Sequence, residues 1–433
     1  MEQSKYRFST KLFVSLVALS LVPFAYQLVR TRLIASIPDT SGLSIAGHIE
    51  WFDLINETLQ AFLIVPLYSL FNKVHSDKER FRERIAGTAV LSFVIYIFFS
   101  VIILVKCRSI VSGMGATENV QIVTRYLQLE TVGFIVGIIA SFAYVLFVVI
   151  EKARYVYILL ALKTAVTIVG DLLLIPSFGV NGIAYSNIAV SIVSSVCCVV
   201  MLKYEDLLPS KGIRLSKDLV RDYVRVGLFS GGQILLDNII YACVVCKMVN
   251  EVAEQGNYWV ANNVIWGLLL IPVSAMSEVV KKDCADRIER GNIVAYLKVC
   301  MWTFLMWGVF LLVLNPFLNR VMGISNYNDI SHIIYVVLPF YIAYTISQVI
   351  SSIFIGKGET WRNAIVSVVV NLVYYPIVYL MVRAGIFMPS IDFICIMFGM
   401  GMVINMVCCV CLWWRSKLRV DINFAIQNRG EKE

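Results

Sequence analysis

Twelve times along this 433-residue chain the sequence runs apolar for about 18–25 residues. Each run is long enough for a helix to cross the ~30 Å hydrocarbon layer of a bilayer. The runs are 12–29, 52–71, 86–105, 130–150, 155–175, 180–202, 223–249, 258–278, 294–316, 331–354, 363–382 and 390–414. They predict an all-α polytopic membrane protein of about 12 transmembrane helices. The first run follows Lys5, Arg7 and Lys11 as a signal peptide would, but it continues to about Val29 without a small-residue cleavage signal. It therefore reads as a first span.

Composition agrees. With 59% hydrophobic and 15% charged residues, and a mean hydropathy of +0.78, the chain is too apolar for a soluble protein. The net charge of +8 fits loops facing anionic lipid and implies no nucleic-acid partner. Of the 37 Lys and Arg residues, 28 fall in the N-terminus, the C-terminus and the loops after even-numbered runs, against eight in the alternate loops. That asymmetry places both termini in the cytoplasm of a multi-pass plasma-membrane protein. The eleven cysteines mostly lie within apolar runs and read as packing residues in a reduced setting. Cys243 and Cys246 have no second pair or histidine beside them, and His48, His75 and His332 lack metal-ligand spacing and a nucleophile partner. No metal, no cofactor and no enzymatic activity are expected, and there is no Gly-rich phosphate loop for a nucleotide-driven pump.

The two halves repeat. At an offset of 206, residues 52–69 align with 258–275, so that Asn56 falls on Asn262, Leu63 on Leu269 and Pro66 on Pro272. The segment starting at Ile150 matches that at Ile355 at an offset of 205. Six spans per half give a parallel repeat, with the substrate path between two lobes that rock. The expected partition is a six-helix lobe over 1–203, a cytoplasmic linker at 204–222, and a second six-helix lobe over 223–433. The partners expected are the bilayer and a small-molecule substrate, the chain acting as a monomer.

Charges inside the runs are few, and in lipid each needs a partner or a wet cavity. Asp53 and Glu57 stand four apart on one helix face. They suit a bound cation, a shared proton, or a first-lobe ion pair with Lys163. Asp171, five residues before Pro176, reads as solvated near the outer interface. Asp237 has no other charge within nine residues on either side. With Gln233 one turn earlier and Asn262 and Asn263 on the next span, it is the leading candidate for coupling a cation or contacting a cationic substrate. Arg30 and Arg32 either anchor at the headgroups or line the cleft and contact an anionic substrate. Trp259, Trp266, Tyr344, Tyr374 and Tyr375 are available to stack on an organic cation, although packing or facing lipid is the commoner role for any one of them.

Gly227-Leu228 followed by Asp237, Gln255-Gly256 ahead of Ala261, Asn263 and Pro272, the segment Gln348–Gly358, and Gly179–Gly182 resemble the multidrug and toxic compound extrusion (MATE) transporters. These lie within the multidrug/oligosaccharidyl-lipid/polysaccharide flippase superfamily. The resemblance implies an antiporter driven by H⁺ or Na⁺ that exports small amphiphilic or cationic compounds as its two lobes rock. The alternative within the superfamily is a flippase for lipid-linked oligosaccharide or polysaccharide precursors. Two family acids are missing: one falls on Thr31 and Arg32, the other near Thr345.

Overall fold

The computed structural model describes residues 10–415 apart from 38–40, 73, 75–77, 117, 151, 209–214, 287–289, 358 and 360. The described chain is helical and forms no strand. Helix α1 covers Thr10–Ala35, and the short α2 (Gly42–Gly47), α3 (Ile49–Leu63) and α4 (Val65–Asn72) follow. Four long helices come next: α5 (Lys78–Gly113), α6 (Val120–Val149), α7 (Ala153–Phe178) and α8 (Asn181–Tyr204). Helix α9 (Lys217–Ile240) continues through a π-helical turn at Tyr241–Cys246 into α10 (Lys247–Glu251). Helix α11 (Gln255–Val264) passes through a second π turn, Ile265–Leu269, before α12 (Ile271–Asp286). Helix α13 (Arg290–Pro316) ends in a third, Phe317–Val321, and is followed by α14 (Tyr327–Gly356). A fourth π turn, Val369–Tyr374, joins α15 (Trp361–Val368) to α16 (Tyr375–Arg383), and α17 (Ile391–Trp414) closes the described chain.

Every apolar run thus lies on helix. Among the described residues nine helices are long and apolar enough to span a bilayer alone, and α11 with α12, bent by 49°, makes a tenth. The two remaining runs are α3–α4 and α9–α10. They are helical too, but they carry Glu50, Asp53, Glu57 and Asp237. The spans with the weakest hydrophobic signal are the ones holding the candidate site.

The repeat is built into the backbone. Helix α3 breaks at Ile64 and the α11 run breaks at Leu270, again 206 residues apart. Pro66 and Pro272 explain both breaks, because proline lacks an N–H and clashes with the carbonyl four residues back. Each break strands a carbonyl, and each finds an aromatic donor in lipid-free surroundings. The Tyr223 hydroxyl donates to the Leu63 carbonyl at 2.7 Å. The Trp307 indole N–H donates to the Leu269 carbonyl at 2.8 Å.

The chain forms two compact units, one of residues 29–256 and one of 1–28 with 257–433. These bounds differ from the expected lobes at 1–203 and 223–433 with a linker at 204–222. They differ because glycines bring α9 onto α3. A Cβ on Gly227 would lie 2.6 Å from the Phe62 carbonyl oxygen, and one on Gly231 would lie 2.4 Å from the Phe62 ring. Small residues spaced four apart let helix backbones approach closely in membranes. The 29–256 unit centres on an apolar cluster that includes Leu67, Phe71, Phe142 and Phe147. In the second unit Met276, Val280, Tyr296, Ile353 and Phe354 form a core that also receives Phe13 of α1. There the Ser277 and Ser352 hydroxyls meet at 2.6 Å, linking α12 to α14.

Candidate functional site

The 29–256 unit contains a buried charged network that small residues assemble. Gly170 on α7 packs so closely on α8 that a Cβ there would lie 2.5 Å from the Ser186 Oγ. The next residues on the two helices, Asp171 and Asn187, are thereby brought side by side. Gly133 on α6 packs on Ile188 and the Asn187 backbone, which sets Glu130, one turn earlier, beside the same Asn187. Arg30, near the end of α1, closes the network. Its Nε donates to Asp171 at 2.7 Å, and its terminal nitrogen donates to Asp171 at 3.1 Å and to Asn187 at 2.9 Å. The Asn187 amide donates to both Glu130 oxygens, at 2.9 and 3.0 Å. Asp171 and Glu130 are each only 1% exposed, and the buried Tyr126 lies against Glu130.

Three sequence expectations are corrected by this network. Asp171 is not solvated, because α7 continues through Pro176 to Phe178 and turns Asp171 toward α8. Arg30 is neither a headgroup anchor nor an anion contact, since its donors are engaged by Asp171 and Asn187. Lys163 does not pair with Asp53 or Glu57. It is exposed on α7, which packs chiefly on α8, and it lies close enough to Cys198 to interact electrostatically. Arg32 is exposed at the end of α1.

Asp53 and Glu57 do share one exposed face of α3. Between them Asn56 organises polar groups. It donates to Asp53 at 3.2 Å and accepts from the Tyr96 hydroxyl at 2.5 Å and from Gln60 at 3.1 Å. Across the α3–α9 contact the Asn238 amide donates to Glu57 at 3.3 Å, to Thr58 at 3.1 Å and to the Leu54 carbonyl at 3.2 Å. One turn further the Tyr241 hydroxyl, which opens the π turn, donates to Glu50 at 2.7 Å. Asp237, half-buried, is the neighbour of Asn238 on this helix. Among the described residues no cationic side chain forms an ion pair with Asp53 or Glu57. Asp53 is also near enough to Glu130 and Tyr126 for its charge to act on them. The unit thus holds hydrogen-bonded groups at Asn238–Glu57, at Asp53–Asn56–Tyr96, and at Glu130–Asn187–Arg30–Asp171.

The Gln233 side chain lies outside the described residues. Asn262 and Asn263 sit on α11 in the second unit. Asn262 is buried, and the Asn263 amide nitrogen is buried with no hydrogen-bond partner. One turn on, Trp266 packs edge-on against Tyr341 and Tyr344 at ring-centre distances of 6.1 and 5.4 Å. Gln348 donates to the Tyr344 hydroxyl at 2.7 Å. Trp266 is 45% exposed, so this aromatic group presents a face. Burial pushes His48 down to about 4, and its Nδ1 accepts from the Trp51 indole at 3.0 Å. It does not change charge near neutral pH.

Asn187 and Tyr126 were missed by sequence reading, since neither is charged and neither breaks an apolar pattern. Glu130 was visible as a charge, but its partner was not. The available signal was Gly170 with Ser186 and Gly133 with Ile188, which mark where two helices touch.

Neither a family model nor a curated protein matches this chain. Solved structures do. A multidrug resistance MATE family transporter of the MOP superfamily, inward-facing, superposes with a TM-score of 0.72 at 19% identity, over 95% of this chain and 98% of that one. The outward-facing form of such a transporter gives 0.67 at 18% identity, over 95% and 96%. A MOP superfamily transporter from Pyrococcus furiosus Vc1 (DSM3638), described as having a binding pocket of reverse polarity, gives 0.66 at 19%, over 95% and 96%. These likenesses establish the fold.

Proposed function

We propose that this chain, a multi-pass membrane protein with the fold of the MATE transporters, is a secondary transporter. It exports small amphiphilic or cationic compounds in exchange for a coupling cation, by rocking of two lobes. The observation that carries this reading is the row of carboxylates on α3 and α9. Asp53 and Glu57 lie exposed on the face that meets Asn238, next to Asp237, in spans too polar to be ordinary lipid-facing helices. A carboxylate held within a membrane costs about 3 kcal/mol or more unless it binds something or faces water. Structural duty accounts for Asp171, which is matched by Arg30; it does not account for Asp53 and Glu57. Asp237 is the residue proposed to exchange the coupling cation, with Gln233 in support. Asn262, Asn263 and the Trp266 group are proposed to meet substrate.

We take the coupling ion to be H⁺. A proton needs one carboxylate, whereas Na⁺ needs several converging oxygens. The oligosaccharide flippase alternative rests on Arg30 and Arg32 as anion contacts, and the Arg30 guanidinium is engaged by Asp171.

The test is reconstitution in liposomes with a fluorescent organic cation and an imposed gradient of H⁺ or of Na⁺. Dye movement is expected under the H⁺ gradient and to be lost in Asp237→Asn at wild-type protein levels. Movement driven by Na⁺ alone would replace the coupling ion, and the absence of any gradient-driven movement would overturn the exporter reading.

A further inference from the structure

Helix α9 has a second face that the transport reading leaves unused. Its first three turns are fixed on one side. The Ser216 hydroxyl caps the helix by accepting from the Leu219 N–H at 3.1 Å. Leu219 and Tyr223 are buried, and Tyr223 bonds Ser92 as well as Leu63. The opposite side is open. Lys217, Arg221 and Arg225 are all exposed and, at intervals of four residues, lie within an arc of about 80° over about 12 Å of helix. Beside them Leu215, Val224 and Leu228 are 48%, 47% and 61% exposed. Together they line an open groove of about 700 Å³. No hydrogen bond or ion pair joins any of the three basic side chains to another described residue. Asp218 and Asp222 lie a further 100° round from Lys217 and Arg221, so they flank the face without crossing it.

We propose that this face binds the headgroup of an anionic phospholipid. The chemistry is complementary at both ends. The two guanidiniums each offer a planar fork that matches phosphate oxygens, and the ammonium adds a third donor. The exposed Val224 and Leu228 lie about one turn beyond Arg221 and Arg225 respectively, where the helix enters its apolar run, and supply a surface for the acyl chain. A soluble anion would leave those side chains in water. A zwitterionic lipid would bring an ammonium toward three cations. The juxtaposition of a basic arc and an apolar stripe on one anchored helix therefore selects an anionic lipid. Because Tyr223 and Gly227 on the reverse of the same helix contact Leu63 and Phe62 of α3, lipid held here stiffens the helix that carries Asp237. The proposal does not depend on which compound is transported.

The test uses the full-length protein in detergent micelles, titrated with phosphatidylglycerol or phosphatidylcholine and read by native mass spectrometry. Wild-type protein is expected to retain phosphatidylglycerol at least about tenfold more tightly than phosphatidylcholine, a contribution of roughly fivefold for each basic residue near an anionic headgroup. The triple variant K217Q/R221Q/R225Q should lose the preference, while R221K/R225K keeps most of it. Should the triple variant not fold, each single glutamine variant should lose about fivefold. V224N/L228N should weaken lipid retention while leaving weak binding of inorganic phosphate unchanged. Undiminished phosphatidylglycerol preference in the glutamine variants would overturn the site. Equal retention of the two lipids by wild-type protein would do the same, and equal competition by inorganic phosphate would replace the lipid by a soluble anion.

Discussion

The two helix breaks, at Ile64 and at Leu270, are the same device in different surroundings. Both follow from a proline two residues on, and both strand a leucine carbonyl that an aromatic donor satisfies, Tyr223 in one unit and Trp307 in the other. Around the first break the neighbouring helices carry Asp53, Glu57 and Asp237. Around the second the polar groups are neutral: Asn262, Asn263, and Trp266 with Tyr341 and Tyr344. Position for position, Asp53 corresponds to Trp259 and Glu57 to Asn263 at the repeat offset. The repeat has kept the backbone and exchanged the chemistry. Near its break the 29–256 unit holds carboxylates, and the second unit holds amides and aromatic rings.

The first way to break this contrast is to unbalance the charge. Arg30→Gln leaves Asp171 buried without its ion-pair partner, and removing one member of a buried pair costs about 3–5 kcal/mol. A large fall in the thermal unfolding temperature of the detergent-solubilised protein is expected, with partial recovery in R30Q/D171N. No counterpart of this sensitivity is expected in the second unit, where Asn263→Ala should change stability by much less.

A smaller effect distinguishes the two glycines that hold α9 on α3. Both Gly227→Ala and Gly231→Ala should destabilise by about 1–3 kcal/mol through overpacking. Phe62→Ala should rescue Gly231→Ala, whose added methyl meets a ring, and should not rescue Gly227→Ala, whose methyl meets backbone. Equal rescue of both in unfolding measurements would mean that the helix contact is not the one described.

Smaller again is the paired removal of the carbonyl donors. Tyr223→Phe and Trp307→Phe each leave a carbonyl without its partner, at about 1–2 kcal/mol. Similar losses from the two would support equivalence of the breaks, whereas a loss confined to one would show that the repeat is not mechanical. Substrate recognition should separate them: Trp266→Ala is expected to weaken dye transport by about three- to tenfold in apparent affinity, with its pH dependence unchanged.

Much of the fold was legible in the sequence because the length of an apolar run is a local property. The apolar runs and the repeat, with Pro66 falling on Pro272, needed no knowledge of neighbours. The π turns were not legible, since an inserted residue leaves no compositional trace. Site residues divided along the same line. The face shared by Asp53 and Glu57 follows from helical spacing and was read correctly. The partner of Asp171 depends on α1 running beside α7 and α8, so sequence separation hid Arg30, 141 residues away. An ion pair with Lys163 was one option for the carboxylates because it is the most economical cation in the sequence, and Lys163 stands exposed on α7, which packs on α8. What reveals such partners in advance is the small residue at a helix contact, as at Gly170 and Ser186.

The most direct measurement is the pH dependence of gradient-driven dye transport in proteoliposomes, compared between wild-type protein, Asp53→Asn, Glu57→Gln and Asp237→Asn. If the ionisable chemistry resides on α3 and α9 of the 29–256 unit, wild-type transport varies with pH, the first two variants shift or flatten that profile, and Asp237→Asn abolishes transport. Three variants with the wild-type rate and the wild-type profile would contradict the account.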